Sequence, residues 1–355
     1  MEQVLSAPLP SNGSLSTARQ LTLGQLKAHR LSHQTKHPAP TPVIRVSGAF
    51  YGLQGMISAL TGPPKSGKTT VIGYMLAGTL THVADPTQML NIQSAQAGKR
   101  DVVYLDFEQH VSSTQDLHDR VLRYAGLSTC PDNLHILNLL GYTMDERKEA
   151  IDVIFRELDV HLLIIDGLAD LLPGVNDEEK SNQIIEKLAL HASQHNTCVI
   201  VVIHENKGGG SVRGHLGSQI ERKCAGLLAV RKDRDTRIHS IESKLIRIGD
   251  DFDNVCFRYS EEHRRMVLLD AVSTEEHIKR TNPKKLNKNE DPEFLGGLVK
   301  LALGGNKTMI KKELVAAIMK FDKGAGSIKT AERRIEGMLE LTILTLDNDT
   351  YTRPN

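Results

Sequence analysis

The sequence carries almost no excess charge: 44 Lys and Arg stand against 43 Asp and Glu, a formal net charge of +1 over 355 residues. No global basic field announces a polyanionic partner, so any nucleic-acid surface has to be local. Four cysteines, Cys130, Cys198, Cys224 and Cys256, are scattered with no C-x-x-C pair, which argues against a disulfide framework and against a zinc site. Nowhere do 18 apolar residues run uninterrupted, and residues 1–5 do not form a basic segment leading into an apolar one. That pattern speaks against a membrane span and a secretory leader, and the expectation is a protein of the reducing cytosol. A chain of this length buries a large core and predicts one large domain with a smaller one.

Against this background one stretch stands out, Gly62-Pro63-Pro64-Lys65-Ser66-Gly67-Lys68-Thr69-Thr70. It fits G-x-x-x-x-G-K-[ST] at every fixed position, with the apolar run 56–60 before it and a helix-like segment, 70–76, after it. The residue types follow from the chemistry. Glycines let successive backbone N–H groups converge on a phosphate, and the following helix N-terminus adds its partial positive charge. Lys68 supplies a point charge to the β- and γ-phosphates and Thr69 a hydroxyl to Mg²⁺. The stretch predicts binding of a nucleoside triphosphate, ATP, with Mg²⁺.

Around this loop the chain predicts four regions. Residues 1–41, rich in Ser, Pro, Thr and His, form an arm that is mostly extended, with a short leucine-faced helix near 21–31 suited to docking on another surface or subunit. His29, His33 and His37, like His191 and His195, recur at four-residue spacing, but no carboxylate or thiol completes either set. Residues 42–272 alternate strand and helix. Strands are expected at 43–46, 55–60, 101–106, 134–139, 161–166 and 197–203, and helices after the loop to about Gly78, from Ser112 or Ser113 to Leu122, from Asp145, and over 177–195. Residues 81–99 read as an insertion. Continuous apolar strands of this kind belong to a parallel sheet covered on both faces, an α/β fold. A glycine-rich loop, 205–217, and four β segments near 225–230, 237–247, 255–259 and 266–269 complete the domain, and the charged stretch 273–291 reads as a linker.

Residues 292–355 outline a winged helix-turn-helix. Ile310, Leu314 and Ile318 share one helical face, Ser327 caps a second helix carrying Ile328, Ala331, Ile335 and Met338, and a strand pair follows at 341–351. From Lys279 to the end there are 15 Lys and Arg against 10 Asp and Glu. Lys329, Arg333 and Arg334 on the second helix are placed to touch phosphates or base edges of a duplex. Winged helices also serve as protein-docking modules, and that alternative stays open.

The carboxylates narrow the chemistry. Asp166 ends an apolar strand, where it can hold Mg²⁺ directly or through water, and it is followed by Gly167 and not by Glu. Glu108, two residues past the strand 102–105, lies at the sheet end where an open α/β fold binds ligands and is the expected general base for the attacking water. His204 follows the strand 197–203 and is placed to sense the γ-phosphate. Lys207 and Arg213, on the loop that starts one residue later, suit the phosphates of a polynucleotide.

In their order, the loop 62–69, Tyr104-Leu105-Asp106-Phe107-Glu108, Leu163-Ile164-Ile165-Asp166, Val202-Ile203-His204, and Arg213-Gly214 with Gly217-Ser218 resemble the RecA-like ATPases. The likeness is closest to the DnaB/RepA-type hexameric helicase branch and its plasmid and mobile-element relatives, over about 42–270. The resemblance implies roles residue by residue. Lys68 and Thr69 bind nucleotide and Mg²⁺, Glu108 is the base, Asp166 the Walker B acid, His204 the sensor, and 205–217 the central loop facing single-stranded DNA. It also implies a homo-oligomer, up to a hexamer, in which a late strand supplies a Lys-x-Arg pair to the neighbour's ATP site. Here Lys244 and Arg247 are separated by one residue too many. Strict alternation puts them on opposite faces of a strand, leaving Arg247 as the expected finger. The expected function is a Mg²⁺-dependent ATPase acting on DNA as a helicase-like motor in replication or mobilisation of an extrachromosomal or integrated element. The alternative is an ATP-switched DNA-binding regulator or loader without unwinding. A phosphoryl-transferring kinase is disfavoured because no acceptor-binding lid is evident.

Overall fold

The computed structural model describes residues 22–33, 37, 39–83, 85–205, 214–281, 292–304, 308–322, 327–347 and 349–354. The chain divides into two compact units, 1–41 and 42–355. In the first, helix α1 (Leu23–Ala28) is closed by a capping box. The Thr22 hydroxyl accepts from the Gln25 backbone N–H at 3.3 Å while the Gln25 side chain accepts from the Thr22 N–H at 2.9 Å. Two orphan donors are thereby satisfied at once. Leu23, Leu26 and Leu31 are exposed.

The second unit runs β1 (Pro42–Val46), β2 (Ala49–Leu53), β3 (Ile57–Thr61), α2 (Lys68–Leu80), β4 (Ile92–Ser94), β5 (Asp101–Asp106), α3 (Val111–Ala125), β6 (Leu134–Asn138), α4 (Met144–Glu157), β7 (Val160–Asp166), α5 (Glu178–His195), β8 (Cys198–Ile203), α6 (Gly214–Lys223), β9 (Gly226–Lys232), β10 (His239–Ile246), β11 (Val255–Ser260), β12 (Arg265–Leu268) and α7 (Ala271–Thr281). It then continues α8 (Pro292–Leu303), β13 (Thr308–Ile310), α9 (Lys311–Phe321), α10 (Ile328–Glu340), β14 (Thr345–Asp347) and β15 (Thr350–Thr352). No helix among the described residues is long and apolar enough to cross a membrane.

Nine strands form the central sheet in the order β12-β11-β10-β9-β3-β8-β7-β5-β6. From β9 to β6 every neighbour is parallel, and β10, β11 and β12 continue antiparallel. The fold is the expected α/β architecture with a mostly parallel sheet. Because side chains alternate along a strand, each strand feeds two cores. Val102 and Tyr104 enter the core shared with α2, α3 and a small antiparallel sheet, β2-β1-β4. Val103 and Leu105 enter the one shared with α4, α5 and α6. Helix α2 is buried on nearly all sides, as a helix apolar all round requires.

Several elements differ from the sequence expectation for local reasons. The cap of α3 is His110, whose Nδ1 accepts the Ser112 N–H at 3.2 Å, and not a serine. Helix α4 opens at Thr143, which forms a capping box with Glu146 one residue beyond Asp145. The insertion 81–99 is structured, with a helical turn at Pro86–Met89 and strand β4. Of the linker 273–291, the first part is helix α7; residues 282–291 lie outside the described residues. Helix α7 is anchored by His277 and Arg280, which both face Asp233. In β10 the register slips at Lys244, between the pairs Ser243 with Leu228 and Leu245 with Leu227. One extra residue in one strand is a β-bulge, so the alternation that would set Lys244 and Arg247 on opposite faces breaks at Lys244 itself.

The last six elements bury a separate core of Leu295, Val299, Leu314, Ile318, Ala331, Ile335, Met338, Leu344 and Tyr351, beside a three-stranded antiparallel sheet ordered β13-β15-β14. Ile310 and Ile328, expected on the buried faces, are exposed at 49% and 61% because they stand at the helix starts.

Candidate active site

The parallel register carries the functional side chains to one rim. Thr61, at the end of β3, pairs with Ile203 of β8, and Asp106, at the end of β5, pairs with Asp166 of β7. The phosphate-loop motif, His204, Asp166 and Glu108 therefore all follow the C-terminal ends of adjacent strands, the side on which open parallel sheets bind ligands.

Within the loop, α2 begins at Gly67, which offers no side-chain cap, so its first N–H groups remain available to an anion. Gly67 sits at φ 106°, and a Cβ there would stand 2.8 Å from Nδ1 of His239. That ring lies against the loop and shares a 2.7 Å hydrogen bond with the Ser66 carbonyl. Ser66 Oγ is buried with no hydrogen-bond partner among the described residues. Lys68 is buried and donates to the carbonyls of Gly62 at 2.9 Å and Pro63 at 3.1 Å. Burial holds its pKa below the usual lysine value, opposed by the charges of Asp166, Glu108 and Glu205.

Asp166 is buried and accepts from the Tyr104 hydroxyl through Oδ2 at 2.9 Å. Its pKa is pushed up to about 6, chiefly by burial, with Glu108 and Asp106 adding to the rise. Glu108 Oε2 lies 3.1 Å from His204 Nε2. This hydrogen bond holds Glu108 below its ordinary pKa and His204 above its own. His204 Nδ1 is buried and has no hydrogen-bond partner among the described residues. A Cβ on Gly167 would collide with Glu108 Oε1, so a side chain after Asp166 and this placement of Glu108 exclude each other. Asp106 is different in kind. Its oxygens accept the N–H groups of Glu108 and Gln109 and the Thr114 hydroxyl, which shapes the turn that carries Glu108.

Lys207 and Arg213 lie outside the described residues. Arg247 is engaged within its own chain: Nε donates to the Cys224 carbonyl and Nη2 to the carbonyls of Glu221 and Arg222, at the C-terminal end of α6. A cation satisfies the orphan carbonyls of a helix end, so Arg247 is a helix cap here and not a free finger. Lys329 and Arg333 are exposed on α10, but Arg334 is buried, paired to Asp322 at 3.0 Å and set over the Phe294 ring. Arg334 is a core ion pair and not a base reader. His191 bonds Asp152 at 3.0 Å and stacks on Phe155, and among the described residues no three His, Cys, Asp or Glu are grouped to hold a metal.

Residues missed by sequence reasoning include Tyr104, His239 and Arg231, the last paired with Glu205 beside His204. Tyr104 stood inside a quoted motif; His239, 173 positions from Ser66, left no local signal.

The donor set fits Mg²⁺-nucleotide. An orphaned Ser66 hydroxyl, an uncapped helix start and Lys68 suit phosphates, and Thr69 with Asp166 would hold the ion, which keeps its remaining positions for phosphate and water. A family model described as an AAA domain matches residues 28–210. The chain belongs to this AAA domain family. Its AAA domain is accordingly a P-loop NTPase module, and the match spans β1 to β8 with the loop, Glu108, Asp166 and His204. No curated protein matches the chain.

Proposed function

We propose that this protein is a Mg²⁺-dependent ATPase that acts on DNA, a helicase-like or remodelling motor for replication or mobilisation of a plasmid or other mobile element. The observation that carries the reading is the meeting of Lys68, Asp166 and the Glu108–His204 pair at one sheet rim. Glu108 is the general base: it takes the proton of the water that attacks the γ-phosphate, a step worth about 10²- to 10⁴-fold in rate. Bound Mg²⁺ supplies neutralisation of phosphate charge from Thr69 and Asp166. The hydrogen bond to His204 keeps Glu108 a poor base. When His204 turns to the γ-phosphate, Glu108 is released from this hydrogen bond and becomes the stronger base. The DNA part rests on the exposed Lys329 and Arg333 and on our reading of the order α8-β13-α9-α10-β14-β15 as a winged helix-turn-helix.

A second reading, an ATP-switched regulator or loader without unwinding, is favoured by one observation: Arg247, the expected finger, caps its own helix. Imaging with a non-hydrolysable ATP analogue and single-stranded DNA, together with strand displacement on a forked duplex, separates the two. Rings and unwinding support the motor; hydrolysis without unwinding supports the regulator. The Glu108→Gln variant is expected to bind ATP and lose at least about 100-fold in turnover, and unchanged hydrolysis would remove Glu108 from its role.

A further inference from the structure

Outside the phosphate loop lies a cavity of about 310 Å³ between α2, α3 and the turn joining β11 to β12. Its floor is an aromatic pair: Tyr124 lies on Tyr74 with ring centroids 4.2 Å apart and planes within 2°. Tyr74 is buried and donates to the Met266 carbonyl at 3.2 Å, which fixes the lower ring and with it the half-buried upper one. Around the pair stand Arg123, Arg264 and Arg265, with the Arg123 guanidinium 5.9 Å from the Tyr124 ring centroid. Among the described residues none of the three has an ion-pair partner. His263 holds the turn in shape through the Ser260 hydroxyl, at 3.0 Å. Asp119 attracts Arg123 and Asp85 attracts Arg265 from beyond ion-pair distance, which offsets the mutual repulsion of the three guanidiniums in part; an anion that accepts from their forks relieves the remainder. A rigid ring beside them offers a flat apolar face to a base. The catalytic scheme above uses none of these groups.

We propose that this cavity is a second nucleotide-unit site, separate from the phosphate loop, in which a nucleobase stacks on Tyr124 and its phosphate lies among Arg123, Arg264 and Arg265. The unit is either a free mononucleotide or one residue of a single strand. The site stands independently of the ATPase reading.

The test titrates the full chain with labelled thymidine 12-mer, and in parallel with AMP, before and after saturation with a non-hydrolysable ATP analogue. The variants are Arg264→Ala, on the exposed turn, combined with Arg265→Ala, at the half-buried start of β12, and Tyr124→Leu, which keeps apolar packing on Tyr74; thermal unfolding verifies that each is folded. The structure predicts that each variant weakens probe binding at least about fivefold while analogue binding is unchanged. For the 12-mer, the arginine pair also lowers the salt dependence, log K against log salt, by about 0.7, the value for one phosphate of a single strand. Loss confined to AMP assigns a free nucleotide, and loss with the 12-mer assigns a strand; both support the site. Unaltered binding in the variants, no binding of either probe, or displacement of the probe by the ATP analogue would overturn it. Failure of the analogue to bind would count against the ATPase reading and leave this titration intact.

Discussion

Asp166→Asn is expected to stabilise the nucleotide-free protein near pH 7.5. An ordinary aspartate titrates at 3.8, whereas burial and the nearby Glu108 and Asp106 push Asp166 up to about 6. The folded state therefore holds this proton more tightly than the unfolded state. Stability linked to it is fully present below about pH 4, falls as pH rises, and is gone above about 6. A gap of roughly two pH units corresponds to about 3 kcal/mol charged against the fold at neutral pH. Asparagine removes that charge and still accepts the Tyr104 hydroxyl through its amide oxygen. Part of the gain is returned, because Lys68, held down by burial, loses the attraction of Asp166. The net expectation is about 2 kcal/mol near pH 7.5, fading to nothing near pH 4. Urea unfolding followed by circular dichroism at both values, without nucleotide or Mg²⁺, measures it. A variant no more stable than the parent near pH 7.5, or one whose gain is equal at both values, would refute the argument from buried charge.

Three further outcomes follow from single contacts. Gly67→Ala puts a Cβ 2.8 Å from His239 Nδ1 at φ 106°; it should lower stability by about 1–3 kcal/mol and abolish binding of a fluorescent ATP analogue, with direct titration as the check. The His204 pKa is raised and that of Glu108 lowered by their mutual bond. The stabilisation this pair provides is therefore full between about pH 4.5 and 6.5 and declines as pH rises through the elevated His204 value. The stability difference between the parent and His204→Leu, measured by urea unfolding, should shrink from about pH 6 to pH 9; a flat difference would contradict the pairing. Arg334→Ala leaves Asp322 buried without this cation and should destabilise the C-terminal elements by about 3 kcal/mol, seen by hydrogen exchange, while ATP turnover stays unchanged.

The loop 62–69, Asp166 and Glu108 were legible because each lies in or immediately follows an apolar strand, and a strand's end is a one-dimensional feature. The same logic located β9 to β12 to within a few residues. It failed where the partner was distant. His110 caps α3 through an imidazole nitrogen in place of the expected hydroxyl, and α7 is anchored by Asp233, about 40 positions upstream. Arg334 looked like a surface cation on a basic helix until Asp322 and Phe294 closed over it.

What the linear order of residues determined alone was the α/β layering and the identity of the phosphate grip, since periodicity and the glycine-lysine spacing are local properties of a chain. Only the tertiary structure decided what each charged group faces. It turned His204 onto Glu108, moved Arg247 from a reaching finger to the end of its own helix, and brought three arginines around a tyrosine pair. Electrostatic partnership depends on distances of a few ångströms between residues tens or hundreds apart in sequence, and the packing of the strands sets those distances.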